Sequence, residues 1–277
     1  MNFAGKEIGF DEPRIMGVLN VTPDSFYDGG KLFQGSKLDL DKVLAKAQLM
    51  EAQGATFIDV GGESTRPGAD AVTLEEECDR VLPVVEILAK NINAVVSVDT
   101  SSPVLMREAA RLGVGLLNDV RALSREGAVE AAVDTALPVC FMHMQGTPET
   151  MQHKPEYVDA VAQVAAFLRS RSEEFLKAGG RKDKIIFDPG FGFGKTDEHN
   201  LDLLKSLSRI AESGYPVLAG LSRKSMIGRL LKRDVEDRLV GSVALAAVAI
   251  QNGASIVRVH DVQETADMLK IMKIVWS

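Results

Sequence analysis

Eight short apolar runs, each ending in a polar side chain, constrain this chain more than any other feature of its sequence. Run 15–19 stops at Asn20, Phe57-Ile58 at Asp59 and run 95–98 at Asp99. Leu116-Leu117 stops at Asn118-Asp119, run 139–142 at His143 and run 185–187 at Asp188. Run 217–221 stops at Ser222-Arg223-Lys224, and run 256–259 at His260-Asp261. Runs this short, bounded by Gly, Pro or polar residues, read as strands buried on both faces. Helical patterns lie between them. Leu40, Val43, Leu44, Ala47 and Met50 fall on one helical face, and Gly54 closes the segment. Thr73 and Glu76 make a capping box opening a helix toward Lys90, which Pro83 is expected to kink or divide. Ser102-Pro103 is an N-cap followed by proline at the first helical position. Segments 126–136, 158–177, 201–213, 235–250 and 264–273 continue the alternation.

Eight strand–helix units predict a (β/α)8 TIM barrel, an α/β fold. An open doubly wound sheet also alternates. The count of eight and the spread of polar strand ends along the whole chain favour the barrel. A length of 277 residues suits a single domain of this kind, with residues 3–12 closing the barrel floor. In a barrel all strands point their C-terminal ends to one face. Asn20, Asp59, Asp99, Asn118, His143, Asp188, Lys224 and His260 are therefore expected to converge on one site.

A net charge of −7, with no Lys/Arg run, argues against a nucleic-acid partner. Any positive field for an anionic substrate must then be local. Cys78 and Cys140 lie in no C-x-x-C pair, so a reducing, cytoplasmic setting is the expectation. Residues 1–15 carry Lys6, Glu7, Asp11 and Glu12 and no apolar signal core. Run 239–250 has the length of a core helix rather than a membrane span.

The stretch Ile185-Ile186-Phe187-Asp188-Pro189-Gly190-Phe191-Gly192-Phe193-Gly194-Lys195 joins an apolar run to a carboxylate and then to a glycine-rich turn. A carboxylate ending a buried strand is costly unless it is paired or binds something, which makes Asp188 a candidate ligand group. Two phosphate motifs fail here. A P-loop needs Gly where Pro189 stands, although Gly194-Lys195-Thr196 supplies its end. Gly190, Gly192 and Gly194 are spaced G-x-G-x-G, which is not the dinucleotide fingerprint. The glycines either bring backbone close to a flat ligand or form a plain loop. Asn20 opens a polar, turn-rich first loop; it either caps that turn or offers an oxygen of the kind Mg2+ accepts beside phosphates. Arg66, in Gly61-Gly62-Glu63-Ser64-Thr65-Arg66-Pro67-Gly68, either is solvated or forks onto a carboxylate or phosphate. Arg258 and His260 share one strand face, and two cations at a barrel mouth suit a diphosphate; a structural core histidine is the alternative.

The motifs add up. Asn20-Val-Thr-Pro-Asp-Ser-Phe with Asp28-Gly-Gly, Gly61-Gly-Glu-Ser-Thr-Arg-Pro-Gly, Ser97-Val-Asp-Thr, Asn118-Asp, Met142-His-Met-Gln-Gly, Asp188-Pro-Gly-Phe-Gly-Phe-Gly-Lys, Ser222-Arg-Lys-Ser and Arg258-Val-His-Asp occur in one order. In that order they resemble the bacterial dihydropteroate synthases, from about Ile15 to the C-terminus. Tyr27, where a small residue is commoner, is a departure that touches no ligand position. The resemblance implies condensation of 6-hydroxymethyl-7,8-dihydropterin diphosphate with p-aminobenzoate, Mg2+ as cofactor, sulfonamide competition and a homodimer, with the apolar 235–250 helix as a contact. It implies catalytic roles for Asn20, Asp99, Lys224, Arg258 and His260. The pterin diphosphate would meet Asn20, Thr65, Asp99, Asn118, Val120, Met142, Asp188, Lys224, Arg258 and His260. The p-aminobenzoate would meet Phe26, Thr65, Arg66, Pro67, Phe193, Lys224 and Ser225, and the metal Asn20. A methyltetrahydrofolate corrinoid methyltransferase would share the pterin contacts but has no use for the Asn20 loop or the Arg258/His260 pair. A non-catalytic pterin-binding paralogue would need a lesion at one of these positions, and the sequence carries none.

Overall fold

The structure, a computed structural model, describes residues 1–22, 32–34, 37–63, 72–147, 150–151 and 155–276. Eight strands build the barrel: β1 (Arg14–Asn20), β2 (Phe57–Gly61), β3 (Val95–Asp99), β4 (Leu116–Asp119), β5 (Val139–Met142), β6 (Ile185–Asp188), β7 (Leu218–Ala219) and β8 (Ile256–Val259). All pair in parallel with their chain neighbours, and β8 returns to β1. A bridge between Phe187 and Val217 joins β6 to β7 and closes the ring. Four junctions step by two residues: Ser97 faces Leu116, Asn118 faces Cys140, Phe187 faces Val217 and Arg258 faces Met16. Together they give the eight-residue stagger of this barrel class.

Met16, Phe57, Val95, Leu116, Cys140, Ile186, Leu218 and Ile256, one from each strand, form the bottom layer inside the barrel. A hairpin of Asn2–Phe3 and Lys6–Glu7 covers it from below. Phe3 is fully buried there, edge-on to Phe57 with ring centroids 5.0 Å apart. The expected floor-closing role of the N-terminal segment is what the structure shows. Side chains alternate along a strand, so the next inward layer is Val18, Asp59, Ser97, Asn118, Met142, Asp188, Gly220 and Arg258. Asn20, Gly61, Asp99 and His260 follow at the rim. The intervening residues, such as Ile58, Val96 and Phe141, pack outward against the helices. Both strand faces are thus covered, which is why the runs are mostly apolar, Ser97 and Arg258 being the inward polar exceptions.

The helices are α1 (Leu40–Ala52), α2 (Leu74–Asn91), α3 (Pro103–Arg111), α4 (Ala128–Thr135), α5 (Ala160–Lys177), α6 (Asp197–Lys205), α7 (Ser208–Ala211), α8 (Ser225–Leu231), α9 (Leu239–Gln251) and α10 (Val262–Trp276). Several depart from expectation. Pro83 does not divide α2. It lies on the exposed face, where water can take the carbonyl that proline leaves unpaired. The 201–213 pattern is two helices, α6 and α7. The first starts earlier because Thr196 caps it, accepting from the His199 N–H at 3.2 Å. The 235–250 pattern opens with a 3-10 turn, Val235–Arg238, before α9. The seventh strand is shorter than the 217–221 run, and α8 follows it where the sequence reading placed no helix. Among the described residues no helix is long and apolar enough to cross a membrane.

Candidate active site

Asp59 is the hub of the second layer. Its carboxylate is 0% exposed and accepts from Ser97 Oγ at 2.6 Å and Asn118 Nδ2 at 3.0 Å. Arg258 reaches across from β8, with Nε 2.7 Å from Asp59 Oδ2 and Nη2 3.2 Å from Asp99 Oδ2. One guanidinium therefore serves two carboxylates. Burial first, and then the charge of Asp59, push the Asp99 carboxyl up to about 8 despite Arg258. Two anions beside one cation leave the second charge uncompensated, so a proton is held there.

Asp188 ends β6 and is buried; its Oδ1 accepts from the Gly190 N–H at 2.7 Å. Burial raises its pKa, and Lys224 opposes the rise. Lys224 Nζ donates to the Phe191 carbonyl and lies 4.5 Å from the centre of the Phe193 ring. Burial pulls its ammonium down to about 8, with Asp188 acting the other way. The turn linking these groups requires glycine. Gly190 has φ +67°, and a Cβ there would stand 1.9 Å from the His143 carbonyl oxygen. Met142 and Val120 are buried beside the polar groups and supply an apolar wall.

After the neighbouring strand β8, His260 is half-buried, its Nδ1 3.1 Å from Ser222 Oγ, which also accepts from the His260 N–H at 3.1 Å. The next residues in each loop, Arg223 and Asp261, form a buried fork–fork pair at 2.8 and 2.7 Å. Asn20 and Asp99 flank Gly61: a Cβ there would lie 3.5 Å from Asn20 Oδ1 and 3.9 Å from Asp99 Oδ2. Among the described residues no cluster of three or more His, Cys, Asp or Glu could cage a metal. Among the described residues Asn20 offers a hard amide oxygen at the rim, which fits Mg2+ as one ligand to an ion carried mainly by water and phosphate.

The relatives decide what this rim belongs to. Residues 16–260 match the model of the pterin binding enzyme family. Dihydropteroate synthase of Haemophilus influenzae is 54% identical over 94% of this chain and 92% of its own. The Yersinia pestis dihydropteroate synthase, solved with a sulfonamide drug, superposes with a TM-score of 0.95 at 47% identity, covering 100% of this chain and 98% of that one. The chain belongs to the dihydropteroate synthase family of pterin-binding enzymes. A further member, from Xanthomonas albilineans in complex with 7,8-dihydropteroate, superposes with a TM-score of 0.88 at 41% identity, covering 100% of this chain and 99% of that one.

The dihydropteroate synthase fold gathers most of the side chains singled out in the sequence. Asn20, Asp99, Asn118, Val120, Met142, Asp188, Phe193, Lys224, Arg258 and His260 lie on the C-terminal strand ends or the turns beyond them. Ser225, exposed, opens α8 next to Lys224. Phe26, Thr65, Arg66 and Pro67 lie outside the described residues. Arg258, expected to share a strand face with His260, is in addition engaged with Asp59 and Asp99. Asp59, one of the converging strand ends, has a role that its sequence context does not signal: β2 runs on to Gly61, which sets it one layer below the rim. Lys195, which in sequence completes the end of a P-loop pattern, is 2% exposed and too enclosed to reach a phosphate.

Proposed function

We propose that this chain condenses 6-hydroxymethyl-7,8-dihydropterin diphosphate with p-aminobenzoate, giving 7,8-dihydropteroate and diphosphate. The observation that carries the reading is the set of inward polar groups, Asp188 and Asn118 with Asp99 at the rim above them, beside Lys224 and the apolar Met142. A pterin presents a guanidine-like donor edge, and buried carboxylates and an amide are its complement. Asp188, Asn118 and Asp99 take that edge, and Lys224 donates to the ring carbonyl and nitrogen. Thr65 joins the pterin diphosphate contacts, with Val120 and Met142 against the ring. His260, Asn20 and the remaining N–H groups of Arg258 hold the diphosphate. Phe193, Lys224 and Ser225, with Phe26, Thr65, Arg66 and Pro67, frame p-aminobenzoate.

The displacement is dissociative. The bond between the pterin CH2 and the diphosphate oxygen breaks, and its electron pair leaves with diphosphate. Positive charge spreads into the dihydropterin ring. The arylamine lone pair forms the new C–N bond, and the nitrogen then sheds a proton to solvent or the departing anion. Arg258 and His260 stabilise the leaving charge; removing such a group costs ~3–4 kcal/mol of barrier. Mg2+, held by Asn20 and the diphosphate itself, would neutralise part of the same charge.

Mixing the protein with both substrates and Mg2+ is expected to release diphosphate and form dihydropteroate. Chelation should suppress the rate and added Mg2+ restore it. No turnover by well-folded protein sinks the reading. We also propose a homodimer through the face of α8 to α10. Leu230 on α8, Val240 on α9 and Ile271, Ile274 and Trp276 on α10 expose apolar surface there. Light scattering at the mass of one chain would remove that part. Cys78 and Cys140, both free thiols, suit a reducing cytoplasmic location, which cell fractionation tests.

A further inference from the structure

Lys195 has no part in the contacts above, yet among the described residues it is the most enclosed lysine of the rim. Its ammonium donates to the carbonyls of Gly190 at 2.9 Å, Phe193 at 3.0 Å and His143 at 3.3 Å. His143 Nδ1 stands 2.9 Å away. That imidazole is neutral, pulled down to about 3 by burial and then by Lys195, and with its one proton on Nε2 it offers Nδ1 as an acceptor. Three carbonyl oxygens and a ring nitrogen converging in a dry pocket repel one another unless a donor stands between them.

The loop so held touches the reacting groups on its other side. Gly190 donates to Asp188, the Phe191 carbonyl accepts from Lys224, and the Phe193 ring lies under the Lys224 ammonium. Its outer side has separate anchors. Gly192 N–H donates to Asn200 Oδ1 at 2.7 Å, and Tyr157 Oη donates to the Gly194 carbonyl at 2.8 Å. Toward the barrel end, Lys195 is the cross-brace between this loop and β5.

We propose that Lys195 is a positioning residue: it pins the 190–193 turn to the end of β5 and thereby sets Phe193 and Lys224 against the arylamine. The role rests on the reaction proposed above. Lys195 touches no substrate, and its burial excludes the phosphate-binding use that a lysine after a glycine-rich turn suggests.

Steady-state kinetics of the full chain test it, with both substrates varied and circular dichroism recorded alongside. Lys195→Met keeps the length and removes the donors. The KM for p-aminobenzoate is expected to rise about tenfold or more, and that for the pterin diphosphate less than about threefold. Lys195→Gln, which restores N–H donors without charge, should recover part of the loss. Unchanged constants, or equal rises for both substrates, overturn the proposal. Loss of the native dichroism in both variants overturns it too, since the lysine is then only structural. Wild-type protein in the same assay separates the two readings. If it is silent, the reaction is wrong and this role falls with it; if it turns over while Lys195→Met matches it, only the role of Lys195 is wrong.

Discussion

Asp59, Asp99 and Arg258 form a three-body charge cluster whose balance is set at single side chains. Asp59 is fully enclosed and hydrogen-bonded by Ser97, Asn118 and Arg258, which makes it the better-compensated anion. Among the described residues Asp99 keeps only the longer contact to Arg258, and it is pushed up to about 8, by burial first and Asp59 second. An unfolded aspartate titrates near 4. The native protein therefore holds an extra proton between those two values. Its contribution to stability is full below about pH 4 and is lost as pH rises through about 8. Asp99→Asn removes this dependence. Thermal melts at about pH 5 and about pH 8.5 should show a smaller drop in the variant than in the parent. Equal drops would mean that Asp99 is not the proton carrier.

At the scale of elements, the loops after β7 and β8 act as one piece. Ser222 bonds His260, Arg223 forks onto Asp261, and Arg223 also donates to the carbonyl of Val235 at 2.8 Å. Arg223 sits at φ +55°, a left-handed backbone that a non-glycine residue adopts only when its surroundings hold it. Ser242 Oγ accepts from its N–H at 2.8 Å, and Arg238 donates to its carbonyl at 3.1 Å. The side chains of the pair are 8% and 6% exposed, so breaking it strands a buried charge. Arg223→Gln should lower stability by about 3–5 kcal/mol, read as a fall in the urea midpoint. A KM increase for the pterin diphosphate should accompany it, because Lys224 and His260 flank the pair. A wild-type midpoint would show that the two loops are held by something else.

For the whole molecule the barrel divides into an apolar floor and a polar mouth. Phe3 packs into the floor layer to which all eight strands contribute, while the chemistry lies at the far end. Phe3→Ala should therefore cost about 3–5 kcal/mol of unfolding free energy. Activity of the folded fraction at low temperature should stay at the wild-type level. A variant with intact stability would show that the hairpin is ornamental; one with intact stability and impaired turnover would contradict the separation of floor and mouth.

How much of this was legible in the sequence differs by feature. The eight runs, their polar ends and the capping residues Thr73 and Ser102 are local patterns, and local patterns fix which face a side chain takes and where a helix begins. They were enough for the barrel and for the gathering of Asp99, Asn118, Asp188, Lys224 and His260 at one end. Partners are another matter. Arg258 meets Asp59 across 199 positions of chain, and Ser222 meets His260 across 38. Nothing in the neighbourhood of either residue encodes those distances; they follow from the two-residue steps at four strand junctions, which raise some strands relative to others. The same stagger puts Asp59 a layer below the rim, and the close approach of the glycine turn to β5 buries Lys195. Sequence decided which groups the barrel mouth contains, because side-chain alternation is a property of each strand alone. Only the closed ring decided which of them share a charge, because that depends on how the strands are set against one another.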